Sequence, residues 1–351
     1  MSQKTKIVLV GIGRMGKNHL RVFRETPGFE VVAVVESHGT LPDLGSIKLA
    51  RSIADLKGID FDAAVIATPT ATHHAIALEL IGMGKHLLVE KPVASTFTQA
   101  REVIAAAHAK GLKLVVGHVE RFNPAVRKLR EVIREGWLGS PIHFSFTRVG
   151  GYPETILVGN NVLLDLAVHD IDVLRSLVGP VRMEHSMCHV TFREGIFDTA
   201  EIMLAAKSGS SATIHTNWIT PTKIRSVRVT GTRAVCFVDY ILQTVELHGG
   251  SLLKNLEPSN YSFDALQDIY RSTDKITFGV QKIEPLRAQA GQWKTFLDGG
   301  DIGELCTGND ALAAVLLAER AMKTEPRPKL AGGKSVPPPA SEVISLDDEW
   351  V

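Results

Sequence analysis

A chain of 351 residues that is 44% hydrophobic and 22% charged is long enough for about two domains, each with its own core. A net charge of +1 gives no electrostatic pull toward nucleic acid or an anionic membrane, so neither is expected as a partner. No apolar run approaches the roughly 20 residues of a membrane span, and residues 1–6 do not read as a signal peptide. Cys188, Cys236 and Cys306 stand too far apart for a disulfide framework or a structural zinc site. A cytoplasmic setting and no bound metal are the expectations.

Residues 6–10 read as a buried strand that runs directly into Gly11-Ile12-Gly13-Arg14-Met15-Gly16, and residues 17–25 carry Leu20 and Phe23 in a helix-compatible setting. A second β-rich run, 29–35, closes on Glu36, 20 positions after Gly16. A lone G-x-G-x-x-G says little, but strand before, helix after and an acid at that distance are the context a dinucleotide fingerprint demands. The glycines let the backbone turn tightly and approach a pyrophosphate, and the helix N-terminus offers free N–H groups to the anion. Gly11, Gly13, Arg14, Met15 and Gly16 are therefore candidate cofactor contacts. Glu36 can accept hydrogen bonds from ribose hydroxyls and would repel a 2′-phosphate, which points to NAD rather than NADP. The plain alternative is a glycine-rich turn without a cofactor.

Residues 37–60 are mixed, with a weak strand at 47–49 and a short helix at 53–56. Residues 62–67 form another buried strand, ending in Thr68-Pro69-Thr70. A helix over 71–83 stops at Gly84, and the strand that follows ends in Glu90-Lys91-Pro92. In an open α/β sheet ligands bind at the carboxyl ends of strands, so a Lys there, with Pro fixing the backbone behind it, is placed for chemistry. Ser95 or Thr96 caps a helix to Lys110, Gly111 ends it, and 112–116 is a further strand. This alternation argues a doubly wound parallel sheet over residues 1–120.

The pattern then changes. A helix over 123–135 precedes an alternating strand at 142–149, and 163–178 reads as helix. Strand-like runs follow at 184–192, 199–205, 211–218, 226–229, 234–242 and 245–247. Strands without intervening helices suggest a largely antiparallel sheet in an α+β domain over 121–325, with helices at 285–297 and 308–323. Residues 326–351, rich in Pro, Lys, Gly and Ser, read as a flexible tail.

Asp165 and His169 are i and i+4 on the 163–178 helix and so share one face. His has the side-chain pKa nearest neutrality, the usual choice for proton transfer, and a carboxylate one turn away can orient it. The plain alternative is a surface Asp–His pair. His73, just beyond the 62–67 strand, is a candidate cofactor contact, with a helix-end surface residue as its alternative.

Together Gly11 to Gly16, Ala67-Thr68-Pro69-Thr70-x-x-His73, Glu90-Lys91-Pro92 and Asp165-x-x-x-His169 resemble the glucose–fructose oxidoreductase/inositol dehydrogenase (Gfo/Idh/MocA) family over residues 5–325. The resemblance implies an α/β fold. An N-terminal Rossmann domain is followed by an α+β domain whose open, mostly antiparallel sheet makes a homo-oligomer, dimer or tetramer. It implies a cis Lys91–Pro92 bond and an active site lined by Lys91, Asp165 and His169. Thr68, Pro69, Thr70, His73, Glu90 and Lys91 are implied at the NAD cofactor. Asn160-Asn161 depart from the Gly-Gly pair that relatives often carry there.

A narrower resemblance lies in the stretches 116–124, 217–225 and 237–240. They are similar to the branch that oxidises the 3-hydroxyl of UDP-N-acetylglucosamine. The stretch 249–282 is longer than that branch would suggest. A diphosphate needs cations, preferably Arg, and Arg121, Arg148, Lys223 and Arg225 are the candidates, with Tyr152 and Trp218 flanking a ring. Their alternatives are solvated charge and core. The expected reaction is NAD-dependent oxidation of a sugar's secondary hydroxyl, with Lys91 on the reacting oxygen, His169 as base and Asp165 orienting it. Two other readings remain: a dehydrogenase of a free cyclitol or sugar, as in inositol 2-dehydrogenases, and a catalytically silent NAD-binding regulator.

Overall fold

The computed structural model describes residues 4–38, 42–153, 161–249 and 274–323. Its first half alternates as β1 (Thr5–Val10), α1 (Arg14–Glu25), β2 (Phe29–Val35), β3 (Lys48–Ala50), β4 (Ala63–Ile66), α2 (Thr70–Gly82), β5 (His86–Val89), α3 (Phe97–Ala109) and β6 (Leu114–Val116). These strands lie in the order β6-β5-β4-β1-β2-β3, all parallel. Every residue of β4 is buried, because helices cover both faces, so the strand reads as a continuous apolar run rather than an alternation. Local signals act where expected. The Thr96 side chain accepts from Gln99 N at 3.2 Å at the start of α3, and Gly111, at φ +63°, turns the chain out of it.

The second half runs α4 (Pro124–Arg134), β7 (Pro141–Val149), α5 (Val168–Val178), β8 (Val181–His189), β9 (Thr199–Ala206), β10 (Ser211–Asn217), β11 (Ile224–Gly231), β12 (Ala234–Asp239), β13 (Thr244–Gly249) and β14 (Asp274–Thr277). The sheet order is β14-β13-β12-β11-β7-β10-β9-β8. Only the β7–β10 pair is parallel; the other neighbours are antiparallel. Side chains alternate as one-sided burial requires: Ala200, Ile202 and Leu204 face the core, while Met203 faces out.

The chain then returns, which the linear division at 120 and 325 did not foresee. In α6 (Pro285–Leu297), Leu286, Ala290 and Trp293 lie at i, i+4 and i+7 and join the core under the first sheet. Trp293 packs against Phe23 and Phe29, ring centroids 5.7 and 5.6 Å apart. Strand β15 (Cys306–Thr307) then adds to β6, antiparallel. In α7 (Gly308–Met322), Ala311 and Val315 enter the first-sheet core while Ala314, Leu317 and Ala318 enter the second. Periodicity identifies an apolar helix face but not which exposed layer will cover it. Here the uncovered layer belongs to the first sheet. The tail 326–351, Asn160 and residues 250–273 of the 249–282 stretch lie outside the described residues.

Candidate active site

The glycine loop sits between β1 and α1, at the carboxyl end of the sheet. Gly11 has φ +91°, and a Cβ there would lie 2.8 Å from Ala67 O. A Cβ on Gly16 would lie 2.0 Å from Gly11 O. A Cβ on Gly13 would meet nothing within 4 Å, so this glycine borders open space at the start of α1, where no side chain caps the helix. First and third glycines allow close packing and the second leaves room for a pyrophosphate at the free N–H groups. Glu36 follows β2 and bends back: Oε2 accepts from Ile12 N at 2.7 Å and Oε1 from His38 N at 3.1 Å. The carboxylate thus buttresses the loop from the end of β2. These residues fit a dinucleotide.

Strand β5 delivers Glu90-Lys91-Pro92, and the Lys91–Pro92 peptide bond is cis. Lys91 Nζ donates to Asp165 O at 2.6 Å and to Asp165 Oδ1 at 3.2 Å. Asp165 Oδ2 accepts from Trp218 Nε1 at 3.3 Å. Asp165 lies in a widened π-type turn, Leu163–Ala167, that leads into α5, a local irregularity common at functional sites. Burial pushes Asp165 up, but Lys91 and the Trp218 hydrogen bond bring it below its ordinary value.

Three expectations change at this point. Asp165 makes no hydrogen bond to His169 among the described residues; its oxygens serve Lys91 and Trp218 instead, and His169 Nδ1 is buried without a partner. His73 keeps neither ring nitrogen free for a cofactor. It is buried, with ring nitrogens 2.9 Å from Pro92 O and from Thr68 O, so it fastens the turn after β4 to the turn after β5. Glu90 is buried too, with Oε1 bound to His19 Nε2 at 2.7 Å and Oε2 to Lys91 N at 3.2 Å. Thr68, Pro69 and Thr70 remain at the sheet's carboxyl edge, where Pro69 precedes α2.

His169 is pushed well below the usual histidine range, first by burial and then by the charges of Lys91, Arg148, His118 and Arg225. A neutral imidazole in this position can accept a proton. His118, which no motif singled out as a site residue, packs edge-on against His169 with ring centroids 6.3 Å apart. Its signal was topological: it follows β6 as Glu90 follows β5, at the carboxyl end of a neighbouring strand. His118, Asp172 and Cys306 place their donor atoms within 4.8 Å of one another. That is a donor set a metal can use. However, both Asp172 oxygens already accept from Arg121, at 2.8 and 2.6 Å. Burial and the Asp172 charge push the Cys306 thiol well up. The cluster fits an ion-paired core better than a metal centre.

The four expected phosphate binders separate into two kinds. Arg121 is buried on Asp172. Arg148 is buried between Asp170, at 2.8 and 2.9 Å, and Glu120, at 3.0 Å, beneath the Tyr240 ring. Neither guanidinium is open to a diphosphate, so both expectations are corrected: a low-dielectric interior requires these charges to be paired. By contrast Lys223 and Arg225 have no hydrogen-bond or ion-pair partner among the described residues, and neither has Arg14 of the glycine loop. Burial first, then Arg148, lowers the pKa of half-buried Arg225, and Arg225 first, then burial and Arg14, lowers that of Lys223. Of these three cations, Arg225 lies near enough to lower the pKa of the Asp165 carboxylate, while Lys223 feels Arg225 and Arg14. Trp218 is 2% exposed and forms the wall behind Asp165. Tyr152, 37% exposed, packs edge-on against it with centroids 6.0 Å apart.

Residues 5–118 match the family model described as "Oxidoreductase family, NAD-binding Rossmann fold", and residues 126–236 match that of the GFO/IDH/MocA C-terminal domain. The chain belongs to the Gfo/Idh/MocA oxidoreductase family. This Gfo/Idh/MocA chain is 25% identical over 336 residues to inositol 2-dehydrogenase of Rhizobium meliloti, covering 90% of this chain and 95% of the relative. It is 24% identical over 251 residues to UDP-N-acetylglucosamine 3-dehydrogenase of Acidithiobacillus ferrooxidans, covering 68% and 75%. Among solved structures, levoglucosan dehydrogenase with NADH and levoglucosan superposes with a TM-score of 0.77 at 19% identity, covering 92% of this chain and 97% of that one, which supports the fold. The chain is thus an oxidoreductase with the family's NAD-binding Rossmann domain and a second, mostly antiparallel domain. Among the described residues no helix is long and apolar enough to cross a membrane.

Proposed function

We propose that this oxidoreductase removes hydride and proton from a secondary hydroxyl of a nucleotide sugar, UDP-N-acetylglucosamine at its 3-position, giving a 3-keto sugar. The carrying observation is the meeting of Lys91, Asp165 and His169 at the carboxyl end of the parallel sheet, the edge that also presents the glycine loop. Bound NAD supplies the hydride acceptor. Lys91 Nζ, now held on Asp165, donates a hydrogen bond to the reacting oxygen. His169, neutral and with Nδ1 buried, accepts the hydroxyl proton at Nε2. Asp165 aims the Lys91 side chain rather than the imidazole. Glu36 supports preference for NAD over NADP, since a carboxylate accepts from two ribose hydroxyls and repels a phosphate.

The nucleotide part of the reading rests on charge. An unpaired half-buried guanidinium suits phosphate oxygens, which it binds in pairs; Arg225 is such a group near Asp165 and His169, and the exposed Lys223 lies near Arg225. A free cyclitol has no anion to offer them. The similarity to a UDP-N-acetylglucosamine 3-dehydrogenase points the same way. We place the enzyme in the cytoplasm, in keeping with three free, buried cysteines, and assign the outward face of the second sheet, with Met203 and Phe237 exposed, to a homo-oligomer contact. The deciding measurement is NADH formation with UDP-N-acetylglucosamine against free N-acetylglucosamine, glucose and myo-inositol. Turnover of the free sugars or the cyclitol, without binding of any UDP-sugar, sinks the nucleotide-sugar reading and leaves the dehydrogenase standing.

A further inference from the structure

We infer that His19 and Glu90 are a positioning pair that holds the start of Lys91 and ties it to the cofactor-binding helix. The inference rests on the reading of Lys91 as the group that meets substrate. His19 is 0% exposed and Glu90 7%. A buried ionisable pair adds little to stability, because desolvation offsets the attraction, so its geometry deserves another account. One carboxylate spans two elements: Oε1 accepts from His19 Nε2 at 2.7 Å, and Oε2 accepts from Lys91 N at 3.2 Å. His19 lies on α1, five positions after Arg14 of the glycine loop. The backbone of Lys91 is therefore tied, through one side chain, to the helix whose first turn faces the pyrophosphate site.

The surroundings are shaped to hold that carboxylate still. Gly117, at the end of neighbouring β6, leaves the space Glu90 fills; a Cβ there would come within 3.1 Å of Glu90 Cδ and Oε1. The His19 ring stacks on Phe23, centroids 5.9 Å apart at 15°, and Phe23 is locked against Phe29 and Trp293. Burial pushes Glu90 up, but the His19 hydrogen bond, the charge on His19 and Lys91 bring it below its ordinary value. Both oxygens are occupied and shielded, so Glu90 is not a proton carrier. Its effect passes through Lys91, whose ammonium must reach both the Asp165 carbonyl and the substrate oxygen. Misplacing a reacting group by about 1 Å costs on the order of a hundredfold in rate, which makes a rigid anchor at the base of a long side chain worth its desolvation.

The test is a double-mutant cycle with Lys91. Glu90→Gln keeps size and polarity but loses charge. It should fold, keep its sugar KM and bind NAD within about threefold, while kcat drops about tenfold or more. In a Lys91→Ala background the same change should lower kcat less than about twofold, because coupled residues are not additive. Equal losses in both backgrounds, or a loss confined to NAD affinity, overturn the inference. His19→Gln, which keeps an N–H donor, should retain most of the kcat that His19→Ala loses; it also decides the matter should Glu90→Gln not fold, equal losses in the two His19 variants counting against the pair. A substrate-free arm separates this idea from the dehydrogenase reading. NAD should slow hydrogen exchange over residues 86–97 in the wild type but not in the variant lacking the pair. If the wild type oxidises no sugar, the dehydrogenase reading has failed and the exchange experiment still decides the anchor.

Discussion

Arg148 and Arg225 face each other in register across β7 and β11, yet they do opposite things. Arg148 is buried and bound on three sides by Asp170 and Glu120. Arg225, half-buried, has no partner among the described residues. The first completes a core; the second feels Glu120, Asp170 and Asp165 without a direct ion pair to any of them among the described residues. The same residue type on adjacent strands is therefore paired in one place and left for the proposed substrate in the other. What separates them is the supply of carboxylates from α5 and from the turn after β6.

The largest effect should come from breaking the structural member. Arg148→Met strands Asp170 and Glu120 as buried charges, and urea unfolding should show a loss of about 3–5 kcal/mol; an unchanged midpoint with an unchanged slope would mean the pair is not what holds β7 to α5. The reacting groups come next. Lys91→Ala and His169→Ala should each lower kcat about a hundredfold or more, near 2.7 kcal/mol, with NAD binding kept. Near-native turnover by either folded variant removes the assigned mechanism.

Arg225→Ala should reverse the Arg148 pattern. Stability is held or gained, while KM for UDP-N-acetylglucosamine rises about tenfold or more, the worth of a hydrogen bond to a charged group. A destabilised Arg225→Ala protein with native KM would erase the contrast between the two strands. The pH dependence sharpens it further. His73, His118 and His169 all titrate below the ordinary value of 6.5, each first because of burial. The contribution of these three groups to stability should therefore be level above pH 6.5 and fall as pH drops from there toward the folded-state values, because the unfolded chain takes up protons that the folded one refuses. The slope is about 1.4 kcal/mol per pH unit for each group. The pH profile of kcat/KM should keep its acid limb below 6.5, and a limb above that value contradicts the placement of His169. The smallest effect belongs to Glu36→Ser, which should shift the NAD over NADP preference by about tenfold, roughly one hydrogen bond to a hydroxyl; native use of NADP at least as efficient as NAD means Glu36 is not at the ribose.

Much of this was legible along the chain. The glycine loop, the strands ending at Glu36, Thr68 and Glu90, and the switch from alternating strands and helices to consecutive strands are local patterns, and each recurs in the structure at nearly the expected residues. The second sheet's strands from β7 to β13 were read to within a few positions because its one-sided burial leaves a period of two, while its edge strand β14 was not read. Missed were β15, only two residues long, and the return of α6 to the first core, since an apolar helix face carries no address. The packing of His118 on His169 was missed because the 116–124 stretch was read for its resemblance and not for a partner, and His118 gains its setting from the strand beside it.

By itself, then, the sequence determined element type, the order of the two sheets and the residue kinds at the strand ends, because backbone geometry converts spacing into faces and turns locally. Only the tertiary structure decided partners. It turned Asp165 from His169 to Lys91, closed Arg121 and Arg148 with carboxylates, left Lys223 and Arg225 open, and placed His19 on Glu90. Whether a charge binds substrate or core depends on which opposite charge lies within about 4 Å of it, and residues as far apart as Lys91 and Asp165 reach that distance only after both sheets have packed.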